Sequence, residues 1–198
     1  MDSDLPDNLE QNDKRLLELT SQDSILSDSI LSEISQLVSL TEIDNSYVKE
    51  DESNLEPNPT PESDIRQFLL KATLPQKIKL ALLGNATCRG LLIRESNKMI
   101  QQCILKNPRL QSSEIEAFGK NPNLSDFILR TIASNSQWMR SYGLKYALIF
   151  NPKTPQDVSV KWVKFLNSAD LRKLAKSKNV PSVVNIAARK RLADSQAG

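Results

Sequence analysis

The side chains with the greatest chemical reach in this chain are its cations. Arg89, Arg94, Lys98, Arg109, Arg130, Arg140, Lys145, Lys161, Lys164, Arg172, Lys173 and Lys176 recur along the C-terminal two thirds, with Trp138, Tyr142, Tyr146 and Trp162 interspersed. Ammonium and guanidinium groups recognise carboxylates and phosphates, and aromatic rings among them could stack nucleobases. These cations are the candidate binding residues. The same pattern also describes a solvated helix face. Tyr142 and Tyr146, at i and i+4, equally suit a helix packed on its neighbour.

Bond-breaking chemistry has little to stand on. The chain has no histidine, which removes the commonest general base and metal ligand. Cys88 and Cys103 lie 15 residues apart on apolar runs without a His partner. A zinc site or a Cys/His nucleophile is therefore not expected, and both cysteines fit small core positions. Gly84, Gly90, Gly119 and Gly143 are scattered, forming neither a P-loop nor a dinucleotide fingerprint. Only seven carboxylates follow residue 64, and the pair Glu114 and Glu116 fits a helix first turn. The expectation is no catalytic residue, no cofactor and no metal, hence not an enzyme.

Charge separates along the chain. Residues 1–64 carry 17 acidic and 3 basic side chains, a net of −14. Residues 65–198 carry 7 acidic and 23 basic ones, a net of +16. A basic half of this strength points to an anionic partner. The partner expected here is another protein with an acidic or amphipathic segment, with nucleic acid as the alternative. The acidic arm could itself fold back on the basic half and compete with such ligands. Met1 to Asp4 offer neither a basic nor an apolar leader region, so no secretory leader is expected; with no apolar run of about 18–20 residues and no suggested disulfide framework, the expected location is cytoplasmic without a transmembrane segment.

The elements positioning these residues are expected to be helices: an all-α fold, with a short superhelical stack of helical repeats after a disordered acidic N-terminal segment. Residues 1–64 are too polar to bury a core and read as largely disordered. Leu16, Leu17 and Leu19 form a small apolar cluster, and an amphipathic helix is expected near residues 24–41. There Ile30, Ile34, Leu37 and Val38 fall at helical spacing. They suit either a docking helix for a partner groove or a helix packed on its own domain. Pro57, Pro59 and Pro61 make residues 50–63 an extended spacer. The basic helical domain spans 65–192, and residues 193–198 are a tail.

Within that domain the spacing predicts helices at about 75–83, 87–94, 97–106, 113–119, 125–134, 138–150, 155–166, 169–177 and 181–192. Ser113 with Glu116 has capping-box spacing; Ser125, Ser168 and Thr154 stand where N-caps are wanted, and Pro155 suits a first helical position. Leu80, Leu83, Ile104, Phe118, Leu129, Leu148, Val160 and Leu174 are among the expected core residues. The joints repeat: Asn107-Pro108-Arg109-Leu110, Asn121-Pro122-Asn123-Leu124 and Asn151-Pro152-Lys153-Thr154, with weaker forms at Asn135 and Asn179. Asn tolerates left-handed angles at a helix end, and the proline beyond cannot continue the helix. Helices this short must stack to bury their apolar faces.

The run Pro75–Asn85, the joints at Asn107 and Asn151, and the segment Ala175–Ser182 together resemble a group of uncharacterised bacterial helical-repeat proteins found chiefly in deltaproteobacteria. The Asn-Pro-x-Leu joint is similar to that of leucine-rich repeat variant and HEAT-like solenoids. The resemblance covers about residues 75–192 and implies an architecture without implying an activity. The iron–sulfur cluster of the leucine-rich repeat variant prototype does not follow, because two isolated cysteines cannot supply four thiolates.

Overall fold

The computed structural model describes residues 14–16, 18, 27–39, 41–49 and 62–195. The described residues are all-α. Expectations that fell on Leu17, Leu19, Ile25, Leu26, Leu40 and the proline spacer from 50 to 61 lie outside them. The chain divides into two compact units, one running to Leu110 and one from Gln111.

The first unit contains α1 (Asp28–Ser39), a 3₁₀ turn (Asn45–Tyr47), α2 (Glu62–Lys71), α3 (Leu74–Leu83), α4 (Ala86–Leu92) and α5 (Lys98–Leu105). Helix α3 is its centre, packing against α1, α4 and α5, while α2 packs on α4. Ile34 and Val38 of α1, Ile65 and Leu69 of α2, and Ile78, Leu80 and Ala81 of α3 are all buried. The amphipathic pattern around residues 24–41 therefore makes a helix that covers its own domain. Ile34 and Val38 are not available as a partner-docking face, and Ile30 and Leu37 flank them half-buried. The acidic helix belongs to the first compact unit.

The second unit contains α6 (Ser112–Lys120), α7 (Asp126–Ser134), a 3₁₀ turn (Trp138–Arg140), α8 (Tyr142–Phe150), α9 (Gln156–Val163), α10 (Ser168–Lys176) and α11 (Ser182–Asp194). Here α6 packs on α8, α8 on α9, and α11 on both α9 and α10. One end is closed by Ile149, Val163, Leu166, Leu171, Leu174, Val184 and Ala188. The expected helix at 138–150 is two elements. Ser141 interrupts it in extended conformation and caps α8, its Oγ accepting from Leu144 N–H at 3.2 Å. Other caps shift by a residue or two. Glu114 rather than Glu116 reaches back, to Gln111 N–H at 3.1 Å. Asn167 rather than Ser168 caps α10, accepting from Asp170 N–H at 2.8 Å. Pro155 is the residue before α9 rather than its first. Leu83 and Val160, expected in the core, are 42% and 37% exposed.

The joints work differently from the left-handed asparagine expected. No described residue other than glycine has positive φ, and no glycine does either. Asn121, Asn135 and Asn151 end their helices in extended conformation, with φ near −80° and ψ of 109–121°. Their side chains supply the turn instead. Oδ1 of Asn107, Asn121 and Asn151 accepts from the N–H two residues on, at 2.8, 2.9 and 2.9 Å. This asparagine turn needs no αL backbone.

The same amides also cross-link helices within each unit. Asn107 Nδ2 donates to Ala81 O in the last turn of α3 at 3.0 Å. Asn151 Nδ2 donates to Gly119 O and Asn121 O at the end of α6, at 2.8 and 3.0 Å. Both asparagines are buried. The last carbonyls of a helix have no intrahelical donor. Here an amide from the helix two places further along supplies one, holding the C-terminal ends of α3 with α5 and of α6 with α8 together.

Replacing Asn151 by Ala strands the buried Gly119 carbonyl, leaves Asn121 O with only its 3.5 Å bond from Leu124 N–H, removes the turn, and is expected to cost about 2–4 kcal/mol. Asn135→Ala removes only acceptor contacts to Gln137 and Trp138 N–H and is expected to cost about 1 kcal/mol. Urea unfolding followed by fluorescence checks both, because Trp138 and Trp162 lie in the second unit. Equal losses would contradict the cross-linking role.

Candidate functional site

The structure sorts the candidate cations into framework and surface. Arg89 is fully buried and donates from Nη1 to Gly84 O at 2.8 Å. It serves the end of α3 and is not a binding residue. A side chain at Gly84 would collide with Leu80 O at 2.3 Å, which is why the backbone there can pack so closely. Arg109 is exposed but donates to Val48 O at 2.7 Å and Leu83 O at 3.4 Å, tying two segments of the first unit. Arg130 forms a two-pronged pair with Asp157 at 2.6 and 3.1 Å, and Lys173 pairs with Asp170 at 3.0 Å. Arg94, Lys98, Arg140, Arg172 and Lys176 are exposed.

In the first unit the described part of the acidic segment contacts basic side chains of the later helices. Lys106 pairs with Asp28 of α1 at 3.2 Å. Lys79 Nζ donates to Ser39 O at 3.0 Å and to Thr41 O at 2.5 Å. Beyond, Asn85 N–H donates to Tyr47 O at 2.9 Å, and the Tyr47 ring tilts on Phe68 at 4.8 Å. Asp44 caps the 3₁₀ turn by accepting from Ser46 N–H, which holds its carboxyl below the usual range. Residues 41–49 thus form a strap whose backbone carbonyls are held by Lys79, Arg109 and a backbone amide of the stack. Cys88 sits beneath it, its Sγ 3.6 Å from Tyr47 O. Burial pushes the Cys103 thiol up to about 12. Neither cysteine is in a disulfide, and both are buried in the core.

In the second unit three of the candidates converge on a pair of rings. Trp162, at the end of α9, lies 5.2 Å from Phe165 just beyond it. Lys145 of α8 approaches both, at 5.8 and 5.1 Å from their centroids. Lys161 lies 5.3 Å from the Trp162 centroid, and Lys164 lies 5.2 Å from that of Phe165. Lys161 and Lys164 are exposed, Lys145 and Trp162 half-buried, and Phe165 is 47% exposed. Sequence reasoning singled out the lysines and Trp162 but missed Phe165, although the spacing of Trp162 and Phe165 at i and i+3 was open to inspection. Tyr146 stacks on Phe150 at 4.3 Å, beside a cleft of about 510 Å³ lined also by Lys120, Pro122, Pro152 and Asn179.

Tyr142 belongs elsewhere. Its hydroxyl donates to Asp170 Oδ2 at 2.5 Å and accepts from Asn167 N–H at 3.3 Å. The Tyr142 bond, then Lys173, hold the Asp170 carboxyl below its ordinary value of 3.8, against the opposing effect of burial. The phenol is raised, first by burial and then by the same bond. This is a structural brace between α8 and the first turn of α10.

Among the described residues no group of three or more cysteine, aspartate or glutamate side chains is placed to hold a metal ion. No described helix is long and apolar enough to cross a membrane. Comparison with known proteins finds no matching family model, no matching curated protein and no matching solved structure.

Two outcomes are expected from these contacts. A carboxylate with a lowered folded pKa stabilises above its unfolded value and loses that contribution as pH falls through the folded one. Tyr142→Phe is therefore expected to cost about 1 kcal/mol at pH 7, discounted for the exposed tyrosine. The gap to wild type should close as pH drops below 3.8, which stability curves across acid pH check. Lys79→Ala should speed hydrogen exchange of residues 41–49 about tenfold, corresponding to the loss of about one net hydrogen bond's free energy; unchanged exchange would mean that Lys79 does not hold the strap.

Proposed function

We propose that this protein is a non-enzymatic adaptor whose basic helical stack binds acidic segments of other proteins. The observation that supports this is the packing within the first unit. There residues 28–49, carrying four acidic side chains and one basic, lie along the stack. They are held by Lys106 on a carboxylate and by Lys79 and Arg109 on backbone carbonyls. A scaffold that holds an acidic segment of its own chain in this way has the chemistry to hold one from a partner. The second unit has 14 basic and 6 acidic side chains and supplies the surface for it. The resemblance to helical-repeat proteins fits this reading, because stacked short helices offer extended binding faces.

Nucleic acid is the competing partner, favoured by the rings among the lysines. Two features weigh against it. The ammonium groups lie over the ring faces that a base would need, and an arm of net −14 would oppose a polyanion. The acidic arm could also tune binding by competing for the same cations, and its described part already engages Lys79, Lys106 and Arg109 of the first unit.

Affinity capture of the tagged full chain from its native cell, with and without nuclease, tests the reading. The expected result is a stoichiometric protein that survives nuclease and is released by raised salt. Recovery of nucleic acid alone, or of proteins lost on nuclease treatment, would replace it with the nucleic-acid reading.

A further inference from the structure

We infer that the Trp162–Phe165 ring pair with Lys145, Lys161 and Lys164 is the seat for one kind of ligand: a linear acidic peptide segment carrying an apolar residue between carboxylates. The inference rests on the adaptor reading and gives it a location and a recognition pattern.

Three observations converge. The first is charge without a counter-ion. Three ammonium groups lie within 6 Å of two rings that are themselves 5.2 Å apart. Among the described residues no carboxylate pairs with any of the three. The nearby acids are committed, Asp157 to Arg130 and Asp170 to Tyr142 and Lys173. Like charges gathered this way repel, and the ring quadrupoles offset only part of that. An anion spanning the three would relieve it.

The second is the exposed floor. Phe165 is a large apolar side chain left 47% open just beyond α9, while its neighbours Val163 and Leu166 turn inward. Apolar surface rimmed by cations suits a ligand with an apolar centre and an anionic rim. The third is the choice of anion. A nucleobase would need a bare ring face to stack on. Here Lys145 and Lys164 both approach Phe165, and Lys145 and Lys161 both approach Trp162. Carboxylates can draw the ammonium groups outward and leave the rings to the apolar side chain. Half-buried Trp162 is braced from beneath, since it packs against the buried cluster that includes Val163, Leu171 and Leu174.

Trp162 is its own reporter. In the full chain carrying Trp138→Phe it is the sole tryptophan, and ammonium groups leaving its ring should change its emission. The probe is a seven-residue peptide of Glu and Asp with one central Leu, titrated at low and at physiological salt. A saturable change in Trp162 emission is expected, weakened about tenfold or more by Lys161→Ala/Lys164→Ala and by raised salt. Both lysines are exposed, so these variants keep the fold, as circular dichroism should show. An all-acid peptide without the Leu should bind several-fold more weakly, and Phe165→Ser should erase that difference. Peptide binding that leaves Trp162 unchanged and ignores the lysine variants would overturn the site while leaving the adaptor reading intact. A single-stranded RNA oligonucleotide that moves Trp162 at lower concentration than the peptide would overturn the ligand class. Absence of any peptide binding, together with a failed capture experiment, would remove both.

Discussion

Helix ends are the constraint on which this structure depends. Its interior helices run from seven to ten residues, so end groups are a large share of each. With five glycines in the chain and no positive φ among the described residues, the left-handed cap is not used. The last carbonyls are met by side chains from elsewhere. Arg89, Asn107 and Arg109 serve the end of α3. Gln101 donates to Ile93 O and Glu95 O after α4, and Asn151 serves the end of α6. Asn185 and Arg189 serve the end of α10. The buried ones, to Gly84, Ala81, Ile93 and Gly119, satisfy carbonyls that would otherwise be costly to bury. Each also fixes the register of one helix against another, which apolar contact alone does weakly.

This arrangement draws several cations of the first unit into the framework. Lys79, Arg89 and Arg109 are spent on carbonyls and Lys106 on the acidic helix, which packs as part of the fold. Helix α1 packs on α3, so its removal would uncover part of the α3 surface. In the second unit the framework is built mainly by asparagine. Lysine is left to the surface, and Lys145, Lys161 and Lys164 gather where α8 meets α9. The division of labour between amide and ammonium is what turns a helical framework into a surface able to meet an anion.

Much of the helical pattern was legible because it is local. The apolar periodicity, the Asn-Pro joints and the serine and asparagine caps place the helices from α3 to α11 within a few residues. What could not be seen is tertiary. The spacing of Ile34 and Val38 fits a partner groove as well as it fits α3, and only the neighbour decides. Arg89 looks like any surface cation until the carbonyl of Gly84 is placed beside it. Asn151 announces a turn through its following proline, but its second role depends on Gly119 and Asn121, some thirty residues earlier. Helix α2 and the break at Ser141 were missed because Glu62–Lys71 is polar and Trp138–Phe150 has a nearly continuous helical period.

The central claim is that buried asparagine amides lock helix ends together. Side-chain amide hydrogen exchange of Asn107 and Asn151, followed by nuclear magnetic resonance in the intact chain, tests it most directly. The account predicts Nδ2 protons protected as well as the backbone amides of α3 and α6, while those of exposed Asn123 and Asn179 exchange freely. Asn151 protons exchanging as fast as those of Asn123 would contradict it, and the stack would then have to be held by apolar contact alone.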